Sequence, residues 1–447
     1  MRDVALAAVF LSLIVFAFKR PWVGLLIWSW LSYMNPHRFT FGFAHYFPFV
    51  AITAGITILS WVVSSQHQRF PWTRETILEV LLCIWIFITT VFAINQVDLF
   101  YPDLPNAWDN LSRALKIQVM IFMTYLIIKN RYQLNALVWV IVGSIGFFGL
   151  KGGVFAFLTG GSDMVIGPPE TMIDGNNEIA LAMVMVLPLM RYLQINAKSR
   201  WMRWGLLGAQ ITTTLAILST YSRGGFLALS VVGFLLWLKS RKKLALAVIM
   251  LLVVPPLIQF MPQKWEERMH TISTDRDELD ESSLGRINAW GFAWNLAKAH
   301  PVMGGGFRVF YVADAWAQYA PIPRDWHDSH SIYFEMLAEH GFVGLALFLA
   351  LGISTALTGR WVIRTTRTIP ELTWIRDLVA MTQVGLAGFA VGGTFAGLAF
   401  FDLPYHMMSI IVLCSVFVKQ YLRTAAESEL EADNDNSQKA DLIYAVE

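Results

Sequence analysis

The chain reads as long apolar runs separated by short polar breaks. A membrane-spanning helix needs about 20 mostly apolar residues. Runs that reach or approach this length lie at 4–18, 21–34, 46–64, 76–94, 113–128, 133–158, 177–192, 203–221, 224–238, 243–260, 331–358, 376–400 and 406–422. The pattern predicts an all-α, polytopic membrane protein with about 12 (12–13) transmembrane helices. The first two runs are short and joined by Lys19-Arg20, which fits either a tight helix pair or a partly re-entrant hairpin. Arg2 followed by Val4–Phe18 resembles a secretory signal. Lys19, Arg20 and Pro21 stand where cleavage would need small residues, so the run is kept as a membrane segment.

Lysine and arginine collect at Lys129/Arg131, Lys198/Arg200/Arg203, Lys239/Arg241/Lys242/Lys243 and Arg360/Arg364/Arg367/Arg376. Cytoplasmic loops retain positive charge, so these clusters are expected inside. The connections 95–112, 159–176, 221–225, 261–330 and 401–406 are then expected outside. The organisation that follows is N-terminal spans over 1–260, one large periplasmic helical loop at 261–330, C-terminal spans over 331–422, and a cytoplasmic tail at 423–447. The loop carries a helix-like stretch near Arg286–Ala299 and ends with Gly304-Gly305-Gly306. The tail is acidic and poor in aromatics, and is expected to be disordered.

Composition sharpens this picture. Of 447 residues 56% are hydrophobic and 15% charged, against about 25% charged in soluble domains; lipid must be part of the solvent. A net charge of +2 without a basic stripe excludes nucleic acid as a partner. Cys83 and Cys414 both lie in apolar runs and form neither a disulfide nor a metal framework.

Three stretches could carry chemistry. Arg223, in Ser-Thr-Tyr-Ser-Arg-Gly-Gly, falls where two apolar runs are together too long for one crossing, so the chain must turn there and the glycines permit it. A guanidinium at the outer boundary suits a phosphate, or snorkels to the interface. Arg286 shares a helical face with Trp290, Trp294 and Ala297, which fits a second anion site or an amphipathic helix lying on the bilayer. His327-Asp328-Ser329-His330 opens the next span, and a histidine at a water–membrane junction suits a general base. Asp328 and His340 add possible metal ligands, but standard zinc spacings, a Walker loop, a dinucleotide fingerprint and a Gly-x-Ser-x-Gly elbow are all absent. The energy for a reaction would have to arrive in an activated substrate.

The order Ser222-Arg-Gly-Gly, Gly285-Arg-x-x-x-Trp with His300-Pro-x-x-Gly-x-Gly, and His330-x-x-Tyr-x-Glu-x-x-Ala-Glu-x-Gly-x-x-Gly resembles the O-antigen ligase and polymerase superfamily from about Gly175 to Leu349. The segment Arg20–Arg38 looks like the start of a subgroup of O-glycosylation ligases associated with exosortase systems. Many members have His-Asn where this chain has His330-Ser331. The resemblance implies an O-antigen ligase of the bacterial inner membrane that moves a preassembled glycan from undecaprenyl diphosphate to lipid A-core, with inversion and with no metal or cofactor. Its partners would be the undecaprenyl diphosphate-linked donor, a lipid A-core or protein acceptor, and membrane lipids. Carried over by residue, it implies that Arg223, Arg286 and Arg308 bind the diphosphate and that His330 is catalytic, with Asn176 and His327 as further substrate contacts. Polymerase or protein O-oligosaccharyltransferase activity differs only in the acceptor. A secondary transporter is the reading from a different class, but such proteins show internal repeats and functional charges near mid-membrane. Here Glu79, Lys151, Glu178 and Asp377 lie mostly near span ends.

Overall fold

The structure is a computed structural model. It describes all residues except 66, 95–105, 241, 245–246, 249–250, 253–280 and 445–447. The expected span at 243–260 lies largely outside the described residues, as do loop positions 95–105 and 261–280.

Among the described residues every regular element is helical. In chain order the helices are α1 (Arg2–Lys19), α2 (Pro21–Met34), α3 (Phe43–Tyr46), α4 (Phe49–Val63), α5 (Arg74–Val91), α6 (Ala107–Ile127), α7 (Arg131–Leu158), α8 (Asn176–Asn196), α9 (Arg200–Leu218) and α10 (Arg223–Lys239). There follow α11 (Glu281–Ala299), α12 (Ala313–Tyr319), α13 (Ile332–Thr365), α14 (Thr373–Gly392) and α15 (Asp402–Tyr444). Among the described residues, five helical stretches are long and apolar enough to cross a membrane: Arg131–Leu158, Asn176–Asn196, Ile332–Thr368, Pro370–Phe395 and Asp402–Ser428. The other apolar runs within the described residues also form helices, but these are shorter or more charged. Phe49–Val63 is too short, α5 carries Arg74, Glu75 and Glu79, and α6 carries Asp109, Arg113 and Lys116.

α8 is the centre of the bundle. From Ile179 to Met190 its side chains are buried all round, because α7, α9, α10 and α14 each pack against it. Glycine allows the closest approaches: a Cβ at Gly153 of α7 would stand 2.0 Å from the Thr212 carbonyl oxygen of α9. Several buried polar groups inside the bundle bond to one another, as an apolar surrounding favours. Glu79 accepts from the Tyr125 hydroxyl at 3.1 Å, and Glu75 accepts from Ser354 and Thr358 at 2.6 and 2.7 Å.

The basic clusters gather at one end of the bundle. Arg131 lies 5.0 Å over the Trp374 ring, Arg203 bonds the Ala197 carbonyl, and Lys239 and Arg360 border one groove. α8, α10 and α13 all start at the opposite end. The structure thus gives the charge asymmetry of the sequence a spatial form.

Arg20 is extended between α1 and α2, Pro21 starts α2, and the two helices pack together, so the N-terminal pair is a tight one. Beyond Arg423 the chain continues α15 to Tyr444. Ala, Glu and Leu there are strong helix formers, and Arg423 and Glu427 pair at 2.8 Å with helical spacing.

The loop after α10 re-enters the described structure at α11. Ala289, Phe292, Ala293 and Leu296 pack on Val309, Phe310 and Trp316 in a small separate core. The Phe292 ring stacks on Trp316 at 4.7 Å. The face of α11 with Ala289, Phe292, Ala293 and Leu296 is thus covered by protein, whereas Trp294, on the face that the sequence pointed to, is 49% exposed.

The three glycines have a definite task. α13 breaks at Gly341 (φ 68°, ψ −172°), which frees carbonyls in the preceding turn. Gly305 and Gly306 donate their N–H groups to the Ala338 and Glu339 carbonyls, each at 2.8 Å. Gly304 and Gly306 have φ of 66° and 80°, where residues with a Cβ are strained.

Candidate active site at three converging helix N-termini

The chain turns sharply between α9 and α10. Tyr221 takes the left-handed conformation there, with φ of 54°. Ser222 caps α10 by accepting from the Gly225 N–H at 2.9 Å, and Arg223 follows at the first helical position. The glycines after Arg223 do not make the turn, as the sequence suggested. They sit inside α10, where a Cβ at Gly224 would meet Phe395 at 2.6 Å and one at Gly225 would meet Ala180 at 2.7 Å. Their absent side chains let α10 close onto α8 and onto the segment after α14.

The start of α8 is fastened to this turn. The Asn176 amide donates to the Thr220 carbonyl at 3.0 Å, and Ser222 Oγ donates to Asn177 Oδ1 at 2.6 Å. Asn176 is thereby a strut of the turn that carries Arg223. One residue beyond Asn177, Glu178 reaches across to the third N-terminus. Its Oε1 lies 3.8 Å from His330 Nδ1, with side-chain exposures of 14% and 44% respectively.

His330 has φ of 40°, the left-handed conformation, just ahead of α13. Strained residues of this kind cluster at functional sites. Glu178 raises the His330 pKa above the ordinary imidazole value, and Asp328 adds to this. Burial and the positive charge of Arg286 act the other way.

Arg286 is brought up by α11. Trp290, one turn later, donates from Nε1 to the Ser329 carbonyl at 2.9 Å. It stacks on Phe334 at 5.0 Å and stands 6.5 Å from Phe395, the ring that also covers Gly224. Asn288 fastens the same helix to the loop, donating to the Ile322 and Asp325 carbonyls at 2.9 and 2.7 Å. Through these contacts Arg223, Arg286 and His330 converge on one end of the bundle. The N-termini of α8, α10 and α13 converge with them, and each carries partial positive charge that favours an anion. His327 is a scaffold group beside them: its ring lies against Gly285 and its Nε2 pairs with Asp325 at 2.8 Å. His340 belongs elsewhere, fully buried and bonded to Thr89 Oγ1 at 2.7 Å.

Arg308 faces different surroundings. It borders a cavity of about 200 Å³ with Arg113, Tyr311, Asp328, Glu335 and Glu339. Its backbone is left-handed (φ 68°), its N–H donates to Glu339 Oε1 at 2.8 Å, and its guanidinium lies 3.5 Å over the Tyr311 ring. Tyr311 in turn donates to Asp328 at 2.9 Å. Gly397 joins this cavity to the histidine: a Cβ there would lie 3.7 Å from Glu335 Oε2 and 3.9 Å from His330 Cα. An apolar groove of about 430 Å³ opens on the other side of α13. It extends from Ile332 and Tyr333 to Lys239 and Arg360, with Leu235, Phe348 and Leu349 among its walls.

Sequence reasoning did not single out Glu178, Glu335 or Glu339 as site residues. The signal for Glu178 was available: an acid in the first turn of a span, directly after Asp-Gly-Asn-Asn. That it meets a residue some 150 positions later was not readable.

Comparison with known proteins agrees with the motifs. Residues 208–349 match the family described as O-Antigen ligase, and residues 1–198 match a family of unknown function. No curated protein matches the chain. The matched segment contains Arg223, Arg286, Arg308 and His330; it supports the O-antigen ligase and polymerase superfamily, and the five apolar helices fit a multi-pass membrane protein.

Proposed function

We propose that the protein is an inverting ligase that transfers a preassembled glycan from undecaprenyl diphosphate to lipid A-core at the outer face of the inner membrane. The observation that carries this reading is the convergence of Arg223, Arg286 and three helix N-termini around His330, itself paired with Glu178. Such an end of a bundle attracts a diphosphate and sets a base beside it.

In the reaction, His330 accepts the proton of an acceptor hydroxyl. The oxygen forms a bond to the anomeric carbon, and the bond from that carbon to the diphosphate breaks with its electron pair leaving on the phosphate. Arg223 and Arg286 stabilise the charge that builds on the leaving group, the kind of electrostatic help that strengthens in the transition state. Attack opposite the diphosphate inverts the anomeric centre. The apolar groove along α13 takes the polyprenyl tail of the donor, since it begins two residues from His330 and is lined mainly by aliphatic and aromatic side chains. Twelve or so crossings, a basic end in the cytoplasm and the site in the periplasm complete the reading, which the positive-inside rule favours.

The test is transfer in reconstituted membranes without ATP or divalent ions, using an undecaprenyl diphosphate-linked glycan and either lipid A-core or a protein acceptor. Glycosylated lipid A-core is expected. Transfer to protein alone removes the ligase assignment, and transfer to neither removes the reading.

A further inference from the structure

We infer that Trp290 is a positioning residue for the base: its indole clamps the chain on both sides of His330 and so fixes where the imidazole points. This rests on the glycosyl-transfer reading above and goes beyond it by giving α11 a second task besides carrying Arg286.

His330 needs a hold from outside its own loop. Its φ of 40° is a left-handed conformation, which a residue with a Cβ adopts only at a cost. The start of α13 does little to offset that cost. Ser331, at the cap position, makes no side-chain cap bond, and among the described residues its buried Oγ has no hydrogen-bond partner. The bonds within the loop are local ones. The Ser329 N–H donates to Asp328 Oδ1 at 2.7 Å, and the Ser331 N–H reaches Ser329 Oγ only at 3.4 Å.

Trp290 supplies the hold from another helix. Its Nε1–H donates at 2.9 Å to the Ser329 carbonyl, the oxygen of the peptide bond that enters His330. Its ring stacks on Phe334, four residues beyond the histidine, with centroids 5.0 Å apart and planes 13° from parallel. One rigid side chain thus grips the chain before and after His330. The peptide unit is planar, so holding its oxygen restrains both the ψ of Ser329 and the φ of His330. With that plane fixed, the imidazole stays directed towards Glu178, whose Oε1 lies 3.8 Å from Nδ1.

The seat of α11 does not depend on this one bond. Asn288 donates to the Ile322 and Asp325 carbonyls and accepts from the Ile322 N–H at 2.9 Å, and Asn295 donates to the Tyr319 carbonyl at 3.0 Å. Loss of the indole N–H therefore leaves the helix docked and acts on the segment around His330.

The experiment uses the full chain in reconstituted membranes with Trp290→Phe, which keeps a ring against Phe334 and removes the N–H. Diethyl pyrocarbonate modifies the neutral imidazole, and its reaction at His330 is followed by mass spectrometry against pH, with His330→Asn as the blank. Glu178 foremost, with Asp328, raises the His330 pKa, while burial and Arg286 oppose them. A histidine released from Glu178 titrates lower, so the labelling midpoint should shift to lower pH in Trp290→Phe. Asn295→Ala removes a bond of the same helix away from the site and should leave the midpoint in place. In transfer assays Trp290→Phe should lower kcat about three- to tenfold, the worth of one hydrogen bond, with the KM of donor and acceptor unchanged. In the His330→Asn background it should lower transfer no further. An unmoved midpoint in Trp290→Phe, an equal shift in Asn295→Ala, or an undiminished kcat overturns the inference. Phe334→Leu releases the clamp from the α13 side; it should shift the midpoint the same way and decides the matter if Trp290→Phe does not fold. The labelling needs no transfer, so the clamp on His330 and the ligase reading stand or fall separately.

Discussion

Gly304→Ala isolates the device that holds the 301–308 loop against α13. The residue has φ of 66°, and a left-handed conformation costs an L-residue about 1–2 kcal/mol. Its new Cβ would stand 2.5 Å from the Ala338 oxygen and 2.6 Å from the Gly341 nitrogen, both backbone atoms that cannot rotate away. The loop must retreat, and retreat breaks the bonds from Gly305 and Gly306 to the Ala338 and Glu339 carbonyls. At about 1 kcal/mol for each bond, the sum is about 3–4 kcal/mol, a large share of the stability of an ordinary domain. SDS-titrated unfolding in mixed micelles measures it. The control is Gly143→Ala, within α7, where nothing lies within 4 Å of the added carbon and helix propensity favours the substitution by up to about 1 kcal/mol. The same retreat moves Arg308 from Glu339, so glycosyl transfer should fall even in the fraction that stays folded. A Gly304→Ala protein that unfolds within about 1 kcal/mol of wild type would show that the loop is not anchored as described.

Three further outcomes follow from the site. In Glu178→Gln the carboxylate that raises the His330 pKa is gone; a base must be neutral to act, so the acidic limb of the kcat/KM profile should move to lower pH, and an unmoved limb would separate Glu178 from the reaction. His330→Asn keeps a side chain that tolerates the left-handed backbone and removes the imidazole; transfer should fall by about 10²–10⁴ with unfolding unchanged, and near-normal transfer would end the catalytic role. Arg223→Lys keeps the charge and loses the fork. Single-turnover transfer should slow by about tenfold or more if two charge-assisted bonds become one, whereas unchanged rates would show that charge alone suffices.

Much of the helical layout was legible in the sequence because each helix is a contiguous apolar run, and contiguity is what a linear reading detects. The turn before Arg223 was legible for the same reason: two runs were too long for one crossing. The purpose of its glycines was not, since Gly224 and Gly225 answer to Phe395 and Ala180, residues far off in sequence. The second apolar face of α11, with Ala289, Phe292, Ala293 and Leu296, was not singled out in the sequence, because what it packs against, the Val309–Trp316 segment, is fixed only by the fold.

By itself the sequence determined an all-helical membrane chain, the concentration of basic residues in particular connections, and the order of motifs around Arg223, Arg286 and His330. These depend on composition and spacing along the chain. Only the tertiary structure decided that Glu178 partners His330, that three helix N-termini meet at one end, and that Arg308 shares a cavity with Arg113, Asp328, Glu335 and Glu339. Those facts arise from contacts between distant segments, where burial and charge depend on what the fold brings alongside each side chain.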